Sequence, residues 1–454
     1  MSAEPKPELA RSDFPADFAW GVATASYQIE GAVNEDGRSP SIWDTFSHTP
    51  GKVDNDDTGD VACDHYHRYK EDVGLMSQLG LNSYRFSIAW PRIVPEGKGE
   101  INLKGVDFYA RLVDELLEKN IQPYATLYHW DLPQVLEDKG GWSNRDTALY
   151  FQEYADKISR LLGDRVKGWI TLNEPWVASI LGYLQGVHAP GLHSMEKAVR
   201  ATHHMLLAHG LAVPALRRNA LRSDAEVGVT LSFNYIEPGR PGAEQLAQLK
   251  DAWDNRLFLD PLFKGAYPTE LYPILSQYLP LEREDMEIIS TPVDFMGVNY
   301  YFRTLPVEWA DQATMSFKDR PNEGSEYTAM GWEIYPEGLY QLLTRFHRDY
   351  GIKKLYITEN GSAFQDSVVE EDGNNFVHDA GRKKYLQEHF GAALRAYRDG
   401  VPLAGYFVWS LLDNFEWGYG YDKRFGIVYV DYPTQKRIIK DSAYWYESLL
   451  KSNA

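Results

Sequence analysis

The chain has a single cysteine, no long apolar run and a deficit of positive charge, and each shortage removes a class of protein. With Cys63 alone an intramolecular disulfide is impossible, so the chain can work in a reducing compartment. No stretch of about 18 apolar residues occurs, so no helix is expected to span a bilayer. Lys and Arg number 46 against 65 Asp and Glu, a net charge of −19. That sign argues against nucleic acid and anionic membrane partners, whose phosphates demand the opposite. Residues 1–8, MSAEPKPE, lack the apolar h-region of a secretory signal, and the cytoplasm is the expected compartment. Linkers rich in Pro, Gly or Ser, low-complexity tracts and close repeats are missing as well. The expectation is one domain over residues 1–454.

Hydrophobic residues make up 44% of the 454, enough for a large core. Short β-prone runs occupy residues 18–26, 83–90, 122–130, 167–174, 226–234, 294–301, 355–359 and 405–411. Helical periodicity separates them, with apolar residues three and four apart over 106–119, 147–162 and 380–397. Eight strands interleaved with helices predict an α/β fold, a single-domain (β/α)8 TIM barrel with extended βα loops. A doubly wound open sheet is the alternative, but no glycine-rich phosphate turn follows the first strand.

Two segments then stand out. Thr171-Leu172-Asn173-Glu174-Pro175 and Ile357-Thr358-Glu359-Asn360-Gly361 each carry a glutamate at the end of a β-prone run. In a barrel, strand ends and the loops that follow them carry the active groups. Two carboxyls so delivered fit glycosidic bond cleavage, where one protonates the leaving oxygen and the other attacks the anomeric carbon. The remaining strand ends collect Gln28, Arg85, His129, Trp130, Asn299, Tyr301 and Trp409, with Glu416 and Trp417 beyond. Such a rim suits a sugar, whose hydroxyls need polar partners and whose ring faces pack on indoles.

Seven strings in order, FAWGVATASYQIEG, YRFSIAW, LYHWDLPQ, TLNEPW, DFMGVNYY, YITENG and DNFEWGYGYDKRFGIVYVD, resemble family 1 glycoside hydrolases, the β-glucosidase family. The resemblance runs over residues 14–450. It implies a retaining β-glucosidase acting on terminal β-D-glucosyl residues of cellobiose, short cello-oligosaccharides and aryl glucosides. Glu174 would be the acid/base and Glu359 the nucleophile, about 5–5.5 Å apart as retention requires. Arg85, Tyr301 and Asn299 would support the nucleophile. Gln28, His129, Trp130, Asn173, Trp409, Glu416, Trp417 and Phe425 would hold the sugar, with Asn173 on its 2-hydroxyl. Trp176, Leu181 and Trp332 would face the leaving group. Neither a metal nor a cofactor is required, and a small-molecule β-glucoside is the expected partner.

Glu416 narrows the substrate further. Members that cleave 6-phosphorylated glycosides carry Ser there, and Tyr where this chain has Phe425; a carboxylate would repel the phosphate. β-Fucosides and β-galactosides are expected side substrates. The thioglucosidases lack the acid that Glu174 supplies. Trp176 and Leu181 resemble narrowing residues of glucose-tolerant members, which implies tolerance to product glucose. A transglycosidase using the same intermediate and an inactive sugar-binding barrel are the competing functions; the second would have lost one carboxyl, and both are here.

Other features read as structural. His65-x-His67 resembles the first metal pair of barrel metallohydrolases, but sits at the start of a helical pattern and not at a strand end. His203, His204 and His209 share the helical pattern of residues 202–211, where packing or capping is expected. Asn360-Gly361-Ser362 is a glycosylation sequon beside the proposed nucleophile, where modification is not expected. The tracts 54–60 and 370–375 read as solvated loops.

Overall fold

A computed structural model describes residues 9–452; the N-terminal octapeptide weighed above and the last two residues lie outside them. Eight parallel strands close into a barrel: β1 (Ala19–Ala23), β2 (Ser83–Ser87), β3 (Gln122–Tyr128), β4 (Gly168–Asn173), β5 (Glu226–Ile236), β6 (Phe295–Thr304), β7 (Leu355–Asn360) and β8 (Leu403–Trp409). Each pairs with its neighbours in sequence and β1 pairs with β8, so no edge is left. The open sheet is thereby excluded.

Helices pack outside: α1 (His65–Gln78), α2 (Leu103–Glu118), α3 (Asp146–Leu162), α4 (Met195–Asn219), α5 (Leu257–Lys264), α6 (Pro336–Tyr350), α7 (Ala380–Arg398) and α8 (Asp441–Lys451). In α2 the buried Val106, Tyr109, Leu112, Val113 and Leu116 repeat at three- and four-residue intervals, the stripe a barrel helix turns to its sheet. Among the described residues, no helix is long and apolar enough to cross a membrane.

Aromatic rings fill part of the barrel interior. Tyr124 lies 5.1 Å from Phe407 and 5.6 Å from Tyr356, ring to ring. Glycines on adjoining strands make the room: a Cβ on Gly21 would come within 2.3 Å of Phe407, and one on Gly168 within 2.2 Å of Tyr124.

Several expected strands end early, because the chain turns where a function-bearing side chain begins. The first gives way after Ala23 to a helical turn, Ser26–Ile29, and the second after Ser87 to another, Trp90–Ile93. The third stops at Tyr128, two residues before Trp130 takes a φ of +76°. The last strand lies two residues earlier than periodicity suggests. Within the tract 370–375, residues Val369–Glu371 and Asn374–Phe376 form an exposed two-stranded hairpin instead of a loop, and Asp54–Asp56 is a short 3-10 turn.

Candidate active site

The C-terminal ends of the strands open into one cleft of about 620 Å³ that takes in both Glu174 and Glu359. Glu174 follows the last residue of β4, with φ +44° and its amide bonded to the carbonyl of Thr230 on β5 at 3.0 Å. A non-glycine residue in the left-handed region is held there by its surroundings, and Trp130 and Trp417 in the same cleft (φ +76° and +50°) share that feature. A π-helical segment, Val177–Leu184, begins after Pro175 and Trp176 and carries Leu181 to the cleft wall.

The two carboxyls meet different neighbours. Glu359 Oε1 accepts from Arg85 Nη1 at 2.6 Å, and Oε2 from the Tyr301 hydroxyl at 2.8 Å. Glu174 Oε1 accepts only from the neutral amide of Asn299, at 2.8 Å. Burial raises both acids. For Glu359 the Arg85 charge and its hydrogen bonds work against that rise. For Glu174 the negative charge of Glu359 adds to it. The last proton shared between them therefore sits on Glu174.

Arg85 organises this arrangement. Its Nη2 donates to Asn173 Oδ1 at 2.6 Å, its Nη1 also to the carbonyl of Thr358 at 3.1 Å, and its Nε to Thr126 Oγ1 at 3.1 Å. Asn173 is in addition 3.0 Å from His129 Nε2, and its carbonyl takes the indole N–H of Trp130 at 3.0 Å. Burial and then the Arg85 charge push the His129 imidazole well below its ordinary pKa, so the ring is neutral. Asn299, expected beside the nucleophile, donates to Glu174 and to Asn173 Oδ1, and its own Oδ1 accepts from Thr358 Oγ1 at 2.7 Å. The threonines Thr126 and Thr358 went unread in the sequence, since a hydroxyl inside a β-prone run carries no signal of its own.

At the closed end, Gln28 donates to Asn414 Oδ1 at 3.1 Å and to the Phe415 carbonyl at 2.8 Å. Gln28 Oε1, His129 Nδ1 and Glu416 Oε2 are buried without a hydrogen-bond partner. His129 and Glu416 line the cleft, and Gln28 does not; orphaned buried polar atoms call for an explanation, and a polyol ligand supplies one. Burial, reinforced by the charge of Glu359, pushes Glu416 up to about 8. Trp409 and Trp417 flank His129, at ring separations of 5.8 and 5.9 Å.

Nearer the mouth stand Trp176, Leu181 and Trp332, all half-buried. The Trp176 indole is fixed to the carbonyl of Trp253 at 3.1 Å. Trp332 lies 5.3 Å from Tyr301 and 6.0 Å from Phe425, which puts Phe425 among the rings between the two ends. Phe46, from a short helix (Ile42–Ser47), Lys52, Val187 and Tyr419 also line the mouth, in the connections between strands.

The histidines singled out in the sequence outside the cleft are packed or paired. His203 bridges the Tyr267 hydroxyl and Asp285, His204 meets the carbonyl of Trp142, and His209 meets Thr171 Oγ1. His65 is bound to buried Asp72, while His67 lies exposed between Glu35 and Asp64. Among the described residues no group of three or more His, Cys, Asp or Glu could hold a metal ion. The sequon Asn360 is buried, its amide donating to the Tyr300 carbonyl at 2.6 Å and its oxygen accepting from Tyr406 at 2.5 Å.

A closed parallel barrel whose strand ends deliver two buried carboxyls and several indoles into one cleft defines a glycosidase of the barrel type. The chain belongs to glycosyl hydrolase family 1, whose sequence profile it matches over residues 10–454. It is 53% identical to beta-glucosidase A of Thermotoga maritima, over 97% of this chain and 98% of that one. To the 1,4-beta-D-glucan glucohydrolase of Thermotoga neapolitana it is 52% identical, again over 97% and 98%. The solved beta-glucosidase from Thermotoga maritima in complex with castanospermine superposes with a TM-score of 0.93 at 51% identity, covering 97% of this chain and 99% of that one.

Proposed function

We propose that the cleft hydrolyses terminal, non-reducing β-D-glucosyl residues with net retention, Glu359 as nucleophile and Glu174 as acid/base. One observation carries this: two buried carboxyls share a cavity, but only Glu359 has a cation against it. That asymmetry supplies one ionised and one protonated acid at the same pH, the starting state of double displacement. Once the glycosyl ester forms, the charge on Glu359 is gone, Glu174 becomes easier to ionise and serves as base toward water. Asn173, fixed by Arg85 and Asn299, meets the 2-hydroxyl, a contact that tightens as the oxocarbenium ion develops.

Gln28, His129 and Glu416 then take the outer hydroxyls with the atoms that lack partners in the protein. Hydroxyls donating to Glu416 Oε2 favour its ionised form, and a phosphate there would be repelled. Short glucans such as cellobiose fit the cleft volume, and the name of the Thermotoga neapolitana relative supports that substrate class. The sole cysteine, buried and free, suits a cytoplasmic setting, with the chain working as one domain.

A 2-deoxy-2-fluoro-β-glucoside with a good leaving group tests the assignment. The expected result is a covalent adduct on the peptide that holds Glu359; an adduct elsewhere overturns it. Trp176 and Leu181 narrow the leaving-group side, and tolerance to product glucose is expected from them. Half-inhibition of aryl glucoside hydrolysis by low-millimolar glucose would remove that part.

A further inference from the structure

Outside the catalytic cluster, the most densely tied carboxylate near the cleft is Glu333, the residue after Trp332. Its Oε2 accepts from Arg303 Nε at 2.8 Å. Its Oε1 accepts from Arg303 Nη2 and Ser325 Oγ at 2.6 Å each, and from Asn322 Nδ2 at 2.9 Å. Both partners are nearly withdrawn from solvent, with side chains 10% and 5% exposed. Arg303 also donates to Glu237 at 2.7 Å and stacks over the Tyr335 ring at 3.7 Å. Four donors converge on one buried carboxylate in a connection that runs from β6 to α6 and holds a hairpin, Pro306–Asp311 with Ser316–Asp319, and an isolated antiparallel bridge between Tyr327 and Glu333.

The end of β6 explains why this matters for the cleft. Three consecutive residues there reach three targets. Tyr301 holds Glu359, Phe302 stacks on Trp332 at 4.9 Å and 21°, and Arg303 clamps Glu333. The indole of Trp332 is thus held by Phe302 on its face and by a buried ion pair at the next residue along its own backbone. No barrel strand carries Trp332: a short antiparallel pairing of Tyr327 with Glu333, with the Thr328 amide on the Trp332 carbonyl at 3.0 Å, sets its backbone, and the clamp ties that pairing to the end of β6.

We propose that Arg303 and Glu333 are positioning residues which set Trp332 for the leaving-group sugar, and so decide aglycone affinity without touching substrate. The proposal rests on the β-glucosidase reading and on Trp332 facing the leaving group. A charge pair of this kind, stripped of solvent and fully hydrogen-bonded, fixes geometry more than it stabilises the fold.

The experiment is a double-mutant cycle between Glu333→Gln and Trp332→Ala, read on two substrates. Cellobiose has a leaving sugar to be held, whereas β-glucosyl fluoride has none. Glu333→Gln is expected to lower kcat/KM for cellobiose by about tenfold, mostly through KM. On β-glucosyl fluoride it should stay within about twofold of the parent enzyme. In the Trp332→Ala background the same change should have no further effect on cellobiose. Equal losses on both substrates, or a tenfold effect that persists without the indole, would overturn the proposal. Ser325→Ala and Asn322→Ala each remove one donor and leave the ion pair in place, which covers the case where Glu333→Gln fails to fold. They should cost about two- to threefold on cellobiose and nothing on the fluoride, and parental values on cellobiose for both would count against the clamp. A parent enzyme inert toward β-glucosyl fluoride would instead remove the β-glucosidase reading itself.

Discussion

At the closed end of the cleft Gln28, His129, Trp409 and Trp417 are all no more than 4% exposed, whereas at the mouth Val187 and Tyr419 are 54% and 43% exposed. The closed end is built from strand ends and the first turns after them, with Glu416 and Trp417 added from the connection beyond β8. The mouth is built from long connections, the π-helical segment behind Glu174 and the stretch between β6 and α6. A strand end in a closed barrel has its position set by hydrogen bonds on both sides, so its side chain has little freedom. A loop residue has to be fixed by contacts of its own, as the Tyr327–Glu333 bridge and the Arg303–Glu333 clamp do for Trp332. Rigid recognition of one sugar and adjustable recognition of what is attached to it follow from that contrast.

Substitutions can sharpen or break it. The largest effect is expected from Glu359→Gln, which should lose more than about a thousandfold in kcat on every glucoside, whatever its leaving group. Glu174→Gln comes next and should split the substrates. Cellobiose hydrolysis should fall by about a hundred- to ten-thousandfold, and glycosylation by a dinitrophenyl glucoside far less, because a good leaving group needs no proton. Equal losses would mean that the two acids are misassigned.

Glu416→Gln tests the closed end without touching the reacting atoms. Losing a charged acceptor should lower kcat/KM by about ten- to a hundredfold on cellobiose and aryl glucosides alike, since both present the same terminal sugar. A loss confined to cellobiose would contradict the division between the two ends. Trp176→Ala, at the mouth, should have the smallest effect: a few-fold rise in KM for cellobiose, with weaker discrimination among aglycones and little change in the rate for β-glucosyl fluoride.

The pH profile offers a separate reading. Activity requires Glu359 ionised and Glu174 protonated, so kcat/KM should be bell-shaped. It falls at low pH as Glu359 takes up a proton. It falls at high pH as Glu174 loses one, and burial together with the Glu359 charge sets that limb well above the usual carboxylate range. The charge of Glu416 also raises Glu174, so Glu416→Gln should move the alkaline limb to lower pH. A limb that stays put, or moves up, would show that Glu416 does not act on Glu174 through charge.

How legible each part was depended on the same distinction. The run before Glu174 and the run before Glu359 could be read because β-prone residues end in a carboxylate and a turn. The proximity of the two could not, since 185 positions of chain separate residues 174 and 359. Arg85 reads as a lone cation inside a β-prone run; its four-way tie to Glu359, Asn173, Thr358 and Thr126 exists only once the barrel closes and brings β7 within reach of β2, β3 and β4. The strand edges were misplaced at Trp130 and Trp90 because apolar aromatic residues continue the β pattern past the point where the backbone turns. Nothing in the sequence around Glu333 marks it, because its partner Arg303 lies 30 residues away.

Alternating β and helical patterns, with carboxylates at two strand ends, determined by themselves the barrel, its functional rim and the candidate acids, because periodicity and turn chemistry are local properties. Only the closed structure decided which acid lies against a cation, which polar atoms remain without partners, and what holds the mouth in place. Those depend on distances between segments far apart in the chain, and burial makes each such distance count.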